Sequence, residues 1–431
     1  MTEQMNVPKL RFGEFSENWQ AIELGELMAF KNGINASKEQ YGRGVKFINV
    51  LDIIENDYIT YDRIVGSVDV EDKEFQKNIV EHGDILFQRS SETREDVGQA
   101  NVYLDEKKVA TFGGFVIRGK KIGEFDSVCM NYLLKTDKAR KEVTTRSGGS
   151  TRYNVGQATL SAVNIHLPPS ISEQQKIASF LSKVDEKIAL LTEKKDKLTE
   201  YKKGVMQQLF NGKWQEQDGK IVFVPPTLRF KADDGSDFPD WDEKKLGDFY
   251  KNLSTGMTPS RKVSEYFKGD NLWITSGELN FGFVNDTKEK ITAEAIKDTS
   301  LKIYPAGTFF IAITGLEAPG TRGRCAINAV PATTNQSCMA FERLELVDTN
   351  FLYFWYKNYS EAFYCKYAQG TKQQSFNNKL VEGIPINLPV KAEQTKIADF
   401  LSGIEQKIGL VNSELEKAKE WKKGLLQQMF V

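Results

Sequence analysis

Cysteine, histidine and proline are all scarce in this 431-residue chain, at four, two and twelve copies. The four cysteines, Cys129, Cys325, Cys338 and Cys365, include no CxxC pair. That argues against a disulfide framework or thiolate zinc site and for a reducing compartment, with the cytoplasm expected. With only His82 and His166 present, no Ser/His/Asp or Cys/His set can be nominated. No apolar run approaches the length of a bilayer crossing, so no membrane partner is expected. The strongest run, Phe309-Phe310-Ile311-Ala312-Ile313, suits a buried strand. The start, Met1-Thr2-Glu3-Gln4-Met5, is polar and lacks a signal-peptide core. Excess charge of one sign is missing too, since 58 basic and 59 acidic side chains leave a net charge of −1. This balance neither demands nor excludes nucleic acid, because a basic face can be offset by acids elsewhere. Two stretches are locally basic: 135–152 has six basic and two acidic residues, and 357–380 has four and one.

What the chain does have is a repeat. Residues 173–210 and 393–430, at an offset of 220, are identical at 19 of 38 positions. The flanks repeat as well. Pro8-Lys9-Leu10-Arg11-Phe12 recurs as Pro226-Thr227-Leu228-Arg229-Phe230, each followed by a tryptophan (Trp19, Trp241) and a Leu-Gly-acidic turn. Ile165-His166-Leu167-Pro168 answers Ile386-Asn387-Leu388-Pro389. Between these landmarks the halves share only a skeleton: Gly33 and Gly256, then Tyr41 and Tyr266, then strand-like pieces around Phe47 and Trp273.

The repeated segments read as long helices. Ile177, Val184, Leu191, Leu198 and Val205 keep a seven-residue spacing, with Leu181, Ile188 and Leu209 four residues on. The second copy gives Ile397, Ile404, Val411, Ala418 and Leu425 with Leu401, Ile408, Leu415 and Met429. That 3-4 alternation is a coiled-coil seam, and two matched seams in one chain favour pairing with each other. Lys195, Lys202 and Lys422 fall on secondary seam positions, as exposed rims or as selectors of one register. A helix of this length spans about 50 Å, against about 34 Å for one turn of DNA, so the pair suits a ruler. The expected fold is α+β: two mixed α/β domains alternating with two long helices that pair as an antiparallel coiled coil. Its boundaries are 1–171, 172–212, 213–390 (opening with a linker, 213–225) and 391–431. Within the domains, helices are expected near 131–144 and 349–368, and strands around Val102 and Val116.

Enzymatic motifs fail on inspection. Gly114 to Lys121 resembles a phosphate loop but ends in Lys where Ser or Thr is needed, and Phe115-Val116-Ile117 reads as strand. Neither Pro-Pro pair fits an amino-methyltransferase motif. Pro239-Asp240 with Asp286-Thr287-Lys288 is a wide and common pattern for a nuclease.

The layout resembles the specificity subunit of type I restriction-modification systems. The carriers are Glu-Gln-x-Lys-Ile-Ala-x-Phe-Leu opening each helix and Lys-Lys-Gly-x-x-Gln-Gln-x-Phe closing it. Gly256-Met257-Thr258-Pro259-Ser260, Trp273-Ile274-Thr275-Ser276-Gly277 and Thr334-Asn335-Gln336 also resemble that family's recognition-domain signature, from which the first unit departs. The resemblance implies a non-catalytic subunit that reads a split sequence in double-stranded DNA, each domain taking one half. Its helices would dock two methyltransferase subunits, which restriction motor-nuclease subunits then join. No cofactor is expected in this chain; S-adenosylmethionine, ATP and magnesium would belong to partners. Two alternatives stay open: a protein-only coiled-coil scaffold, and the specificity subunit of a related single-complex restriction enzyme.

Base reading favours Arg, Lys, Asn and Gln, with hydroxyls assisting. The segments preceding the long helices are the first candidates: Ser150, Thr151, Arg152, Tyr153 and Asn154, and Lys372, Gln373, Gln374 and Ser375. Arg89, Ser91 and Arg94, then Ser260, Arg261 and Lys262, then Arg322 and Arg324, complete the set. Off the seam, Phe180, Tyr201, Phe400 and Trp421 are candidate partner anchors, since aromatics are enriched at interfaces.

Overall fold

A computed structural model describes residues 7–217, 220–251, 253–314, 322–368 and 375–431, with side chains of 213–222 left aside. The chain divides into two compact units, 1–192 with 413–431, and 193–412. Each unit thus holds one mixed domain and half of each long helix, Ile171–Phe210 and Lys391–Met429.

In the first unit a four-stranded antiparallel sheet runs Met28–Asn32, Val116–Lys121, Ile85–Gln88, Ala100–Val102. Beside it a three-stranded sheet sets Tyr41–Ile48 between Ser67–Val68 and Thr111–Phe112. In the second unit the main sheet has five strands, ordered Ser254–Thr255, Cys338–Phe341, Phe309–Ala312, Cys325–Asn328, Gly282–Val284. Asn271–Ile274 lies between Lys290–Ile291 and Thr333–Thr334 in the smaller one. Phe309–Ala312 is buried throughout, as its apolar run predicts. Val116–Lys121 is a strand, so the phosphate-loop likeness there has no cradle. The helix expected near 131–144 is instead two, Ser127–Leu134 and Asp137–Thr145, because Thr136 caps the second with its hydroxyl. The one expected near 349–368 is continuous, Thr349–Tyr367.

The skeletal glycines have a physical reason. A Cβ on Gly256 would lie 1.6 Å from the Thr334 carbonyl oxygen, and one on Gly33 would lie 2.3 Å from that of Gly113. Each lets the chain pass directly beside a parallel strand pair, where any side chain would collide.

The repeated flanks find each other. Gln20–Glu23 pairs with Asn164–Leu167, and Asp242–Lys245 pairs with Pro385–Leu388, both antiparallel. At the head of each long helix the repeat's polar residues form a buried clamp. Arg11 donates to both Glu173 carboxylate oxygens, at 2.7 and 2.8 Å, and the Trp19 indole N–H donates at 3.3 Å. Arg229 and Trp241 do the same to Glu393, at 2.9, 2.8 and 3.1 Å. Both glutamates are at most 1% exposed and sit in a helix first turn, where the dipole favours an anion. Gln174 donates to the Pro168 carbonyl and accepts from the Asp126 N–H; Gln394 joins Pro389 and Asp348 identically. Asp126 and Asp348 are themselves the caps of Ser127–Leu134 and Thr349–Tyr367. The Glu-Gln pair therefore fixes helix to domain at one place in each unit.

The seam residues are buried or half-buried in both helices. In the first unit Leu181 and Val184 share a core with Leu425 and Met429. In the second, Val205 and Leu209 share one with Ile397, Leu401 and Ile404. Lower numbers on one helix meet higher numbers on the other, so the pairing is antiparallel. Two of the three seam lysines pair with acids on the other helix. Lys422 pairs with Asp185 at 2.5 Å, and Lys202, 8% exposed, pairs with Glu405.

Candidate nucleic-acid interface

In the first unit the central strand Ile85–Gln88 continues into Ser90–Ser91, which pairs with Tyr153–Asn154. The Val155 N–H donates to the Arg89 carbonyl at 3.0 Å, so the pre-helix segment and the Arg89 stretch are one surface. Between them a tight turn closes with reciprocal Gly148–Asn154 backbone bonds at 3.0 and 2.8 Å. Gly149 takes a φ of 115°, and a Cβ there would lie 2.1 Å from the Arg152 carbonyl. The turn leaves Ser150, Thr151, Arg152 and Asn154 exposed, while Tyr153 is half-buried against the core. Arg89 donates to the Gly114 carbonyl at 3.1 Å, bringing Phe115 alongside. Phe115 is 63% exposed and was missed by sequence reasoning, because Phe115-Val116-Ile117 reads as the interior of a strand. Arg94 is held elsewhere: it donates to the Thr144 and Thr145 carbonyls at the end of Asp137–Thr145.

The second unit repeats this construction. Thr314, just beyond Phe309–Ala312, pairs with Ser375, and the Phe376 N–H donates to the Ile313 carbonyl. Lys372, Gln373 and Gln374 lie outside the described residues. Ser260 and Lys262 are exposed on the loop after Gly256, and Thr258 of that loop donates to the Gln336 side chain at 2.7 Å. Thus the two signature segments around Thr258 and Gln336 meet in space. Arg261 is engaged internally, bidentate on Glu289 at 2.5 and 2.7 Å and stacked over Phe267. Arg322 pairs with Glu361 at 3.0 Å and lies over Tyr364. Arg324 is half-buried, its carbonyl accepting from the Ala312 N–H.

Of the aromatic anchors, Phe180 packs edge-on against Phe12 and Trp421, with ring centroids 5.9 and 6.1 Å away. Phe400 packs on Phe230 at 5.6 Å. Phe400, Trp421 and Tyr201 keep 38, 49 and 54% of their surface exposed. Leu190 and Leu410, equivalent positions of the repeat, are 59 and 67% exposed and were not singled out from the sequence. Their exposure off a continuous seam is the signal that would have found them.

Asp286 pairs with Lys290, and no group of three or more His, Cys, Asp or Glu among the described residues is placed to hold a metal ion. Burial pushes the Cys338 thiol up to about 12, which leaves it unreactive. No helix among the described residues is long and apolar enough to cross a membrane.

The family model for the type I restriction modification DNA specificity domain matches twice, over residues 16–200 and 239–420. The chain is 26% identical over 435 residues to the putative type I restriction enzyme MjaX specificity subunit of Methanocaldococcus jannaschii, covering 98% of this chain and 95% of the relative. It is 33% identical over 178 residues to the MjaIX specificity subunit of the same organism, 40% of each chain. Among solved structures, the type I restriction-modification S subunit from M. genitalium aligns over 99% of both chains, with a TM-score of 0.58 and 17% identity. A chain from a study of type I R-M complex assembly and conformational transition covers 96% of this chain and 97% of its own, at 0.56 and 14%. These two share the fold. With both halves matched by the family model, the chain belongs to the type I restriction-modification DNA specificity family and is a non-catalytic specificity subunit, catalysis in such systems lying in other subunits.

Proposed function

We propose that this chain reads a bipartite sequence in double-stranded DNA, one half-site per unit, and docks two methyltransferase subunits through its long helices. The observation carrying the reading is that both units present their pre-helix segment beside the end of a central strand. On that surface Ser90, Ser91, Ser150, Thr151, Arg152 and Asn154 supply donors and acceptors for base edges, and Phe115 an apolar contact. Arg94, Arg261 and Arg322 instead shape the loops through their internal partners. Lys372, Gln373, Gln374 and Ser375 take the equivalent role in the second unit. Docking falls to the exposed apolar positions Leu190 and Trp421 of the first unit, and Tyr201 and Leu410 of the second. S-adenosylmethionine, ATP and magnesium serve the methyltransferase and motor-nuclease partners.

Methylation mapping across a genome tests this, in cells expressing the chain with its cognate methyltransferase subunit. A bipartite motif with a constant gap, lost when this chain is deleted, is the expected result. Its absence from an assembled complex would favour a protein-only scaffold. Removing one heptad from each long helix shortens them by about 10 Å and shifts the gap by about 3 base pairs; an unchanged gap refutes the ruler.

A further inference from the structure

The internal repeat supplies its own control for any feature present in one copy only. In the second unit a cavity of about 670 Å³ is lined partly by positions at which the two copies differ. Its wall carries Lys195, Lys202, Lys203 and Lys357 against a single carboxylate, Glu405. Glu405 accepts from Lys202 and, at 3.0 Å, from Lys357, while Tyr353 also donates to it. Lys195 and Lys203 have no carboxylate partner within 4 Å among the described residues. Met206, Ile408 and Phe281 line the same space with apolar surface.

The equivalent place in the first unit is close to charge-balanced. Lys422 pairs with Asp185, which also accepts from Tyr132 at 2.7 Å. Lys135 donates to the Asp57 carbonyl, and the Asp57 carboxylate stands near enough to favour the charged lysine. With Lys423, that makes three lysines against two carboxylates. Three departures from the repeat line the second-unit cavity. Lys195 replaces the seam leucine, Leu415, which is only 2% exposed. Phe281, whose carbonyl accepts from Tyr353, takes the role of Asp57, whose carbonyl accepts from Asn131. Gly409 replaces Ala189, and a Cβ on it would meet nothing within 4 Å.

Each change has a local cost. A lysine in a seam position weakens the coiled coil, and a mid-helix glycine costs about 1 kcal/mol against alanine. Phe281 takes a φ of 57°, the left-handed region that aromatic residues avoid. Strain of this kind collects at ligand sites. All three changes converge on one cavity, each adding positive charge, flat apolar surface or space.

We propose that this cavity binds a nucleotide, its phosphates on Lys195, Lys203 and Lys357 and its base against Phe281. The volume lies within the range of small-molecule sites, about 300–1,000 Å³. Burial first, and then Lys357, pulls Lys202 down to about 8. This goes beyond the reading above, which expects no small molecule in this chain.

The test is isothermal titration of the full chain with ATP, inorganic tripolyphosphate and adenosine. ATP binds one to one, tripolyphosphate more weakly and adenosine weakest. Returning the site to its first-copy sequence with Lys195→Leu, Phe281→Asp and Gly409→Ala leaves a folded chain, since each new residue suits its backbone at least as well. That variant loses ATP binding by about tenfold or more, the weight of one charged hydrogen bond. The control Lys423→Ala, in the first unit, changes nothing. No ATP binding to the wild type, or binding equal in the triple variant, overturns the proposal. Binding of DNA alone through these lysines also overturns it, by making the cavity part of the DNA surface.

Discussion

Glu173 and Glu393 meet the same donors at nearly the same distances, an arginine fork and a tryptophan N–H. Ahead of each long helix, before its short flanking strand, the halves diverge. The first unit closes Ser150–Asn154 into a turn on Ser90–Ser91, whereas the second places Ser375 beside Thr314 under another sequence. The contrast separates two demands on one chain. A buried carboxylate allows little variation, because its loss strands an arginine and an indole out of water. An exposed loop on a fixed strand end is free to change, because no core depends on it.

The clamp offers the largest way to break this comparison. Glu173→Ala or Glu393→Ala takes the carboxylate from a half-buried arginine, leaving it a backbone carbonyl of Glu17 or Pro239, and should cost about 3–5 kcal/mol in denaturant unfolding, each chiefly in its own unit. Equal, small losses would mean the clamp is incidental. Next come the leucines. Leu181→Ala and Leu401→Ala, both fully buried, should each cost about 2–5 kcal/mol. Leu190→Ala and Leu410→Ala should stay within about 0.5 kcal/mol yet weaken co-purification with the methyltransferase subunit. Undiminished assembly would remove these positions from the docking surface.

A smaller effect is pH-dependent. Burial first, and then Lys422, pulls the Lys135 ammonium down to about 8 from its ordinary 10.5. The unfolded chain therefore keeps a proton that the folded unit releases between those values, and stability from this group rises with pH across that window. Lys135→Met should flatten that rise when unfolding midpoints of the two proteins are compared from pH 8 to 10.5. A difference independent of pH would show that Lys135 titrates normally.

Much of the frame was legible in the sequence, because heptad spacing and a duplicated Glu-Gln motif leave a periodic trace. The pairing of Lys202 and Lys422 with acids on the other helix was foreshadowed by their seam positions. The domains left fainter traces. Thr136 splits an expected helix through a single hydroxyl cap, and Phe115 looks like strand interior until the turn exposing it is known. Arg94, Arg261 and Arg322 illustrate the limit: residue type marks an arginine as a possible base reader, but only geometry reveals that carbonyls, Glu289 and Glu361 already occupy them.

The most direct test of two independent readers in one chain is single-base methylation mapping of a variant altered in the first unit alone. Arg152→Ala with Asn154→Ala should relax or change one half of the bipartite motif, leaving the other half and the gap intact. Alteration of both halves together, or a motif with no gap, would contradict the account.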